Sequence, residues 1–447
     1  MDGTSREVGA IPGPDRARTR SIIGGMIGMF VDTWDIYLPA FVLPAALGYF
    51  IPTTLPVAVR ATLGSLIFTV ALIGRPLGSV IMGHLGDKWG RRYVGIVAGI
   101  GFTLVTLLIG LLPGYAAWGY LSPALMIFLR LVGGIFLSSG YAGPIPLALE
   151  RAPKSARGWV AGVVSSTSAL AVMLTNLFMV ILTANVSSQA FLRWGWRLPF
   201  FFGVLLGLGY LLFFLRVPEQ EAVLESRREH RPRQPLREFF NREQGKVLLQ
   251  VFLLTTGFWL AAQPVLSFTP GLLITVLHQS PKAVSLFEFW SNIPAIAFVI
   301  LFGALSQVLG RRRFLIAMGG WFMVLSTLFY YLMIHFARHG GGFALWVVGG
   351  LAIFLTDNPL APVILYLAER FPVQLRSTGV SIPYQFGLII PSLYSFWLLG
   401  LSAVMPYAYT PLVLIALGGA MVLVAGLMGP ETRDWDLIRR EETPASA

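Results

Sequence analysis

Residues 83–92 have the sequence GHLGDKWGRR and lie between two long apolar stretches of the chain. Two glycines and the paired arginines of this decapeptide return at a constant offset of 220 residues. Gly83, Gly90, Arg91 and Arg92 recur as Gly303, Gly310, Arg311 and Arg312. The second copy has Gln307 where the first copy has Asp87.

A second motif repeats at almost the same distance. Glu150, Arg151, Pro153 and Arg157 recur as Glu369, Arg370, Pro372 and Arg376, at an offset of 219 residues. Two independent matches at nearly equal offsets indicate an ancestral duplication. Duplicated halves of a membrane protein predict a binding site at mid-membrane between them, with alternating access by rocking of one half against the other.

The composition is that of a polytopic helical membrane protein. Among 447 residues, 55% are hydrophobic and only 12% are charged, with a mean hydropathy of +0.72, whereas soluble domains carry about 25% charged residues. The net charge of +12 follows from loops rich in arginine, so we interpret it as topology and predict no nucleic-acid partner. There is no cysteine. We expect no two of the five histidines to be paired at metal-ligand spacing, and therefore no metal site.

Segments of about 20 mainly apolar residues predict membrane-crossing helices. The fold class is therefore all-α, with twelve transmembrane helices in two pseudo-symmetric bundles of six. The predicted spans are residues 22–44, 61–82, 94–113, 124–148, 159–183, 198–216, 247–269, 286–308, 314–337, 343–366, 378–400 and 408–429. We divide the chain into a first bundle with its tail (1–216), a charged linker (217–246) and a second bundle with its tail (247–447). Spans that contain proline are expected to be broken or kinked.

The basic residues predict the orientation. Of the 33 Lys and Arg residues, 25 fall in the two tails and the even-numbered connections. By the positive-inside rule both termini are then cytoplasmic. We expect a multi-pass protein of the cell inner membrane that acts as a monomer.

The decapeptide at residues 83–92 resembles the hallmark loop of the major facilitator superfamily. Further stretches resemble its metabolite:proton symporter branch and cover nearly the whole chain. They are DTWD at 32–35, RPLG at 75–78, WGWRLPF at 194–200 and the segment from Glu369 to Arg376. The chain departs from the branch in span four, where residues 138–141 lack the usual acidic residue.

Two carboxylates lie inside the first span. Asp32 and Asp35 are three residues apart and share one helical face. A carboxylate at mid-membrane costs about 2.5–3.5 kcal/mol on insertion scales, so each needs a partner or water. Asp35 is the first candidate for a proton carrier and Asp32 the second. The alternative is that one of them only forms a salt bridge with a buried arginine.

Two arginines are also expected inside the membrane. Arg130 in span four cannot discard its charge and needs an anion, either a substrate carboxylate or an acidic side chain. We favour a place in the central cavity, as a binding group for substrate. Arg75 in span two lies close to the hallmark loop, which favours a structural or gating role.

The resemblance implies that the hallmark residues control a cytoplasmic gate. Asp87, Arg91 and Arg92 are gate residues on this basis, and the repeated motif adds Glu150, Glu369 and Arg376. The alternative for the two hallmark arginines is simple anchoring by their positive charge. The replacement of Asp87 by Gln307 in the second copy predicts two latches of unequal strength.

The second half contributes further candidates. Asp357 in span ten precedes Pro359 and Pro362, which free backbone carbonyls and favour a polar break. Asp357 is therefore a proton-coupling or substrate residue, with a structural pair as the alternative. The polar residues expected to select substrate are Tyr37, Gln263, Asn292, Tyr384 and Gln385.

No Walker loop, nucleophile elbow or zinc-binding helix motif occurs in the sequence, so neither ATP hydrolysis nor enzymatic catalysis is expected. The chain is predicted to be a secondary transporter without a cofactor. We favour proton-coupled symport of a small organic anion, a mono- or dicarboxylate. A proton-driven exporter of cationic or amphipathic compounds and a transporter-like ligand sensor are the alternatives.

Overall fold

The computed structural model describes residues 14–52, 54–55, 57–142, 144–150, 152–216, 242–279, 281–372 and 375–435. These residues are predominantly helical and include no strand. The main helices of the first half are α1 (Pro14–Phe50), α2 (Val57–Trp89), α3 (Arg91–Gly110), α4 (Leu121–Leu137), α5 (Arg157–Asn185) and α6 (Leu198–Phe214). Short helices at Ser139–Ala142 and Pro144–Glu150 extend α4.

The second half repeats this arrangement. Its main helices are α7 (Arg242–Gln263), α8 (Pro281–Leu309), α9 (Arg311–His339), α10 (Gly342–Arg370), α11 (Arg376–Leu401) and α12 (Thr410–Met428). Among the described residues, nine helices are long and apolar enough to cross a membrane, and residues 70–86 and 121–137 form shorter apolar helices. The structure agrees with the predicted bundle of twelve helices.

Two helices extend beyond the predicted spans. Helix α1 begins and ends well outside the predicted span 22–44, and α7 begins at Arg242, inside the predicted linker 217–246. Residues 217–241 lie outside the described part of the chain. The expected break in span ten is present, because α10 is interrupted between Asp357 and Leu360, where Pro359 removes a backbone donor.

The repeated hallmark glycine has a conformational role in both halves. Gly90 precedes α3 with a φ of 111°, and Gly310 precedes α9 with a φ of 93°. Side chains with a Cβ rarely adopt such angles, so glycine permits the sharp turn between two helices. We call the end of the bundle that contains these two turns the hallmark end.

The two halves pack closely toward the hallmark end. A Cβ added at Gly158 of α5 would lie 2.3 Å from the carbonyl oxygen of Gly303 in α8. One apolar cluster continues across this contact, with Val160 and Val164 of α5 and Val299 of α8 among its buried members. The contact therefore joins the two halves at the hallmark end of the bundle.

Candidate functional site

Two buried ion pairs lie in the membrane-spanning part of the first half. Arg75 Nη2 of α2 is 3.1 Å from Asp32 Oδ2, and Arg130 Nη1 of α4 is 3.5 Å from Asp35 Oδ2. Each of the four side chains is less than a tenth exposed. Both aspartates thus have a buried arginine partner, the arrangement that the sequence offered as the alternative for one of them. Proton carriage by Asp35 or Asp32 stays a prediction.

Asp35 is held by a second group and Arg130 is only partly used. Thr106 of α3 donates its hydroxyl hydrogen bond to Asp35 Oδ1 at 2.6 Å. Nη1 of Arg130 contacts Asp35, and the Nε and Nη2 atoms of Arg130 are buried without a hydrogen-bond partner among the described residues. An unused pair of N–H donors in one guanidinium matches the two oxygens of a carboxylate.

Arg75 connects the two halves at the level of this site. Its Nε donates to Gln385 Oε1 of α11 at 2.9 Å, while Nη2 faces Asp32. Gln385, predicted to contact substrate, keeps its Nε2 buried and without a partner among the described residues. The gating role predicted for Arg75 is untested, but its contacts lie beside the proton-coupling candidates.

The remaining predicted substrate residues have different environments. Gln263 is buried at the end of the regular part of α7 and accepts a hydrogen bond from Ser267 at 2.8 Å. Asn292 of α8 donates to the backbone carbonyl of Glu288 at 2.7 Å. Tyr384 is buried against Trp259, with ring centroids 5.7 Å apart, and Tyr37 is half-buried.

The second half contains a carboxylate that we did not predict as a site residue. Glu288 of α8 interacts electrostatically with Asp357 of α10, and its Oε1 is buried without a hydrogen-bond partner. The sequence does contain a signal for it, because Glu288 is the only ionisable residue in the predicted span 286–308.

The repeated glutamate motif forms a pair between the halves at the hallmark end. Glu150 Oε1 of the first half is 2.9 Å from Arg376 Nη1 of the second, and neither side chain has any exposed surface. Arg376 also donates through Nε to the carbonyl of Ala368 at 2.9 Å. This ion pair must be broken when the halves separate at this end.

The corresponding glutamate of the second half has ion-pair and hydrogen-bond partners in its own half. Glu369 pairs with Arg311 at 3.2 Å and accepts a hydrogen bond from the hydroxyl of Thr432 at 2.6 Å. Glu431 accepts from the backbone N–H of Arg311 at 2.8 Å, so a carboxylate lies at the positive end of α9. Thr432 and Glu431 were not among the predicted residues because their partners are distant in sequence.

The hallmark residues themselves are only partly described. The side chains of Asp87 and Arg91 lie outside the described part of the structure, so their gating assignments stay predictions. Arg92 donates to the carbonyl of Leu215 at the end of α6 at 2.6 Å, a contact within the first half. Gln307, in the position that corresponds to Asp87, accepts from the backbone N–H of Gly158 at 3.2 Å and so also joins the halves.

The family follows from a match that covers most of the chain. A family model described as "Major Facilitator Superfamily" matches residues 25–384. The chain belongs to the major facilitator superfamily. The resemblance of the hallmark loop is thereby confirmed, and so is the prediction of a membrane transporter that is not an enzyme.

Relatives and solved structures agree with this assignment. This superfamily member is 28% identical to "Inner membrane metabolite transport protein YhjE" of Escherichia coli (strain K12), covering 95% of the chain and 97% of that relative. It is 26% identical to the "Proline/betaine transporter" of Salmonella typhimurium, covering 96% and 86%. The structure of the proton:xylose symporter XylE with a bound bromodeoxyglucose has a TM-score of 0.71 at 17% identity, covering 92% and 95%. At that identity the likeness to XylE shows the fold alone.

Two other features of this superfamily member lie apart from the ion pairs. His335 and His339 of α9 are four residues apart, with ring centroids 4.4 Å apart, so the expectation that no histidines are paired at ligand spacing was wrong. Within the described ranges no group of three or more His, Cys, Asp or Glu side chains is arranged to hold a metal ion.

An apolar groove of about 260 Å³ contains none of the ionisable groups. It is lined by Leu248, Leu249, Phe252, Ile382, Pro383 and Phe386.

Proposed function

We propose that this transporter is a proton-coupled symporter of a small organic anion, a mono- or dicarboxylate, and that it works by alternating access. The observation that carries the proposal is the state of Arg130. Its guanidinium shares one nitrogen with Asp35 and has two buried N–H donors without a partner among the described residues. A carboxylate that binds them makes two charge-assisted hydrogen bonds.

The pairing of Arg130 with Asp35 suggests how substrate and proton are coupled. A substrate carboxylate on Arg130 takes part of the counter-charge of Asp35, and a buried carboxylate that loses its counter-charge is favoured in the protonated form. The loaded Arg130–Asp35 site then holds one arginine, one anion and one neutral acid, so the charges of this site balance. Thr106 can keep the neutral Asp35 side chain in place through its hydroxyl.

The same proposal assigns the contacts at the hallmark end to a gate. The Glu150–Arg376 pair and the Gln307–Gly158 hydrogen bond both join the halves there. Because both must break before substrate leaves through that end, they oppose opening of the empty carrier. Two relatives support a carboxylate substrate. The shikimate transporter of E. coli and the proline/betaine transporter of S. typhimurium are named for compounds that all carry a carboxylate.

Uptake of labelled acids into proteoliposomes, with and without an imposed pH gradient, tests the proposal. A proton symporter of organic anions accumulates the acid only with the inside alkaline, and the added acid carries protons inward. Movement of cationic compounds in the direction opposite to a proton influx would favour the exporter instead. Saturable binding of an acid with neither uptake nor exchange would favour a ligand sensor.

We further propose that the hallmark end is cytoplasmic, in the inner membrane. Tags inserted in residues 217–241 and at the C-terminus are expected to be inaccessible to reagents outside intact cells, because the basic connections stay on the cytoplasmic side. Labelling of either tag from outside would contradict this orientation.

Substitution of Arg130 by Lys separates the effect of the positive charge from that of the planar guanidinium. Lysine keeps one positive charge but loses the planar fork. We expect Arg130→Lys to weaken acid binding by one charge-assisted bond, about 1.5–3 kcal/mol, measured as the equilibrium Kd in purified protein. Asp434→Asn, which removes an exposed charge paired only with Arg433, is the control and should bind normally. Normal binding by Arg130→Lys would assign Arg130 to a structural pair.

A further inference from the structure

The intramembrane carboxylates of the two halves differ in their ion-pair partners. In the first half Asp32 and Asp35 each face an arginine at 3.1 Å and 3.5 Å. In the second half Glu288 and Asp357 form no ion pair and no side-chain hydrogen bond with any residue that the structure describes. The second half therefore presents two acidic groups without a cation of the protein to balance them.

The predicted spans around these acids carry no basic residue to serve as that cation. Predicted spans seven, eight, ten and eleven, over residues 247–269, 286–308, 343–366 and 378–400, contain no Lys or Arg. Intramembrane acids that lack a partner are costly and mark functional sites.

Glu288 lies away from the lipid-facing side of its helix. On α8 the exposed Trp290 and Ile293 mark the outer face, and Glu288 is about 200° from Trp290 around the helix. Glu288 therefore projects toward the interior of the bundle. Asp357 is half-buried at the break in α10, between the buried residues Thr356 and Asn358.

A polar group beside the two acids also lacks a partner. Asn358, next to Asp357, is only 1% exposed, and its Nδ2 makes no hydrogen bond with the described residues. A buried amide that donates to nothing is costly, and it is satisfied when a ligand with an acceptor occupies the site. Glu288 Oε1 is buried and unsatisfied in the same way.

The surroundings favour an organic cation over a metal ion. The described residues include no cluster of three or more metal-ligating side chains, whereas hard cations take six or more oxygen ligands. Aromatic pairs of α8 and α10 lie close to both acids along the chain. Phe287, next to Glu288 in sequence, packs on Trp346 at 5.1 Å, and Phe354, one turn before Asp357, packs on Phe298 at 3.9 Å. Rings and carboxylates together bind ammonium groups.

We infer that Glu288 and Asp357 form a binding site for the positively charged nitrogen of the transported molecule, so that the substrate is a zwitterion. This inference rests on the proposed function, because Arg130 of the first half then binds the carboxylate of the same molecule. A zwitterion that engages both halves at once closes them around itself. Its single positive charge balances one of the two acids, and the other acid is then balanced only when it is protonated.

Matched probes test this inference in the detergent-purified full chain. Glycine betaine and tert-butylacetate have the same shape and differ only in a charged nitrogen against a carbon; proline and cyclopentanecarboxylate form a second pair. We expect at least one zwitterion to bind at least about tenfold more tightly than its carbon analogue, since a lost charge contact is worth more than 1.4 kcal/mol. The readout is the dependence of the unfolding midpoint on probe concentration.

Variants of Glu288 and Asp357 test whether these two acids cause the preference for a zwitterion over its carbon analogue. Glu288→Gln and Asp357→Asn should each remove most of the preference for the zwitterion and leave the affinity for the carbon analogue unchanged. The control Asp434→Asn removes the same charge at an exposed position and should change neither. Unliganded unfolding midpoints and gel-filtration profiles identify any variant that fails to fold, and the other variant then gives the result.

Equal binding of zwitterion and analogue in both pairs overturns the inference, as does a preference that survives in both variants. Uptake of the analogues into proteoliposomes separates this failure from that of the proposed function. If the analogues accumulate with a pH gradient while no zwitterion is preferred, only the zwitterion site is wrong. If no acid, zwitterionic or not, accumulates with a pH gradient, the symport proposal is wrong as well.

Discussion

Asp35→Asn is expected to abolish accumulation driven by a pH gradient while it leaves exchange of internal for external substrate intact. A carrier acid must gain and lose a proton in each cycle, and asparagine is permanently neutral. The loaded Asp35→Asn carrier still has a balanced charge, because substrate replaces Asp35 as the anion on Arg130. It can therefore rock with substrate bound, but the empty form holds an uncompensated Arg130 charge and does not return efficiently.

The two activities are measured in the same proteoliposomes, as uptake with the inside alkaline and as exchange of labelled for unlabelled substrate without a gradient. Asp32→Asn is the neighbouring comparison. Its carboxylate pairs with Arg75 at 3.1 Å and not with Arg130, so we expect it to lose less of the gradient-driven uptake. Accumulation that survives in Asp35→Asn would indicate that Asp32 or Asp357 carries the proton instead. Loss of both uptake and exchange would instead indicate a role in binding or folding.

Glu150→Gln is expected to open the hallmark end. The pair with Arg376 at 2.9 Å is fully buried between the halves, and removal of one member of such a pair costs about 3–5 kcal/mol because the other charge stays buried. Separation of the halves relieves this cost by admitting water to Arg376. A difference of that size shifts the ratio of closed to open carriers by more than about a hundredfold.

Distances between spin labels measure this shift. The chain has no cysteine, so Lys88→Cys and Arg313→Cys add one label to each half at exposed positions of the hallmark end. We expect a longer distance distribution in Glu150→Gln. Replacing both members, by Glu150→Leu with Arg376→Met, should restore much of the closed population, since apolar groups of similar volume can substitute for a buried pair.

The control for the gate is Asp434→Asn. Its carboxylate is 80% exposed and pairs with Arg433 at 3.3 Å, and exposed pairs contribute about 0–1 kcal/mol. Label distances in this variant should equal those of the unmodified chain. If Glu150→Gln also left the distances unchanged, the Glu150–Arg376 pair would have no part in closure.

Much of the fold could be predicted from local patterns. The apolar stretches predicted the helices of the bundle, and two repeated motifs predicted the duplication, because both signals lie within short lengths of chain. Helix ends were less predictable. Helix α1 extends beyond the predicted span 22–44 at both ends, and α7 begins at Arg242, in polar sequence.

The candidate site was predictable as a list of residues but not as a set of partners. Intramembrane charge identified Asp32, Asp35, Arg130 and Asp357, since the cost of burying a charge makes each of them conspicuous in the sequence. Nothing local indicates that Asp35 pairs with Arg130 and Asp32 with Arg75, because those partners are 95 and 43 residues apart. The hydroxyl of Thr106 gave no signal, since a threonine in an apolar helix is ordinary.

The sequence by itself determined the family, the bundle of helices and the identity of most buried charges, because hydropathy and motif spacing are properties of the chain in one dimension. Only the tertiary structure decided which charges neutralise one another. Arg376 lies 226 residues from Glu150, and their contact exists because packing of α5 on α8 brings the halves together at the hallmark end. The same packing leaves Glu288 and Asp357 without a basic partner among the described residues, since the energy of a buried charge depends on what surrounds it in space.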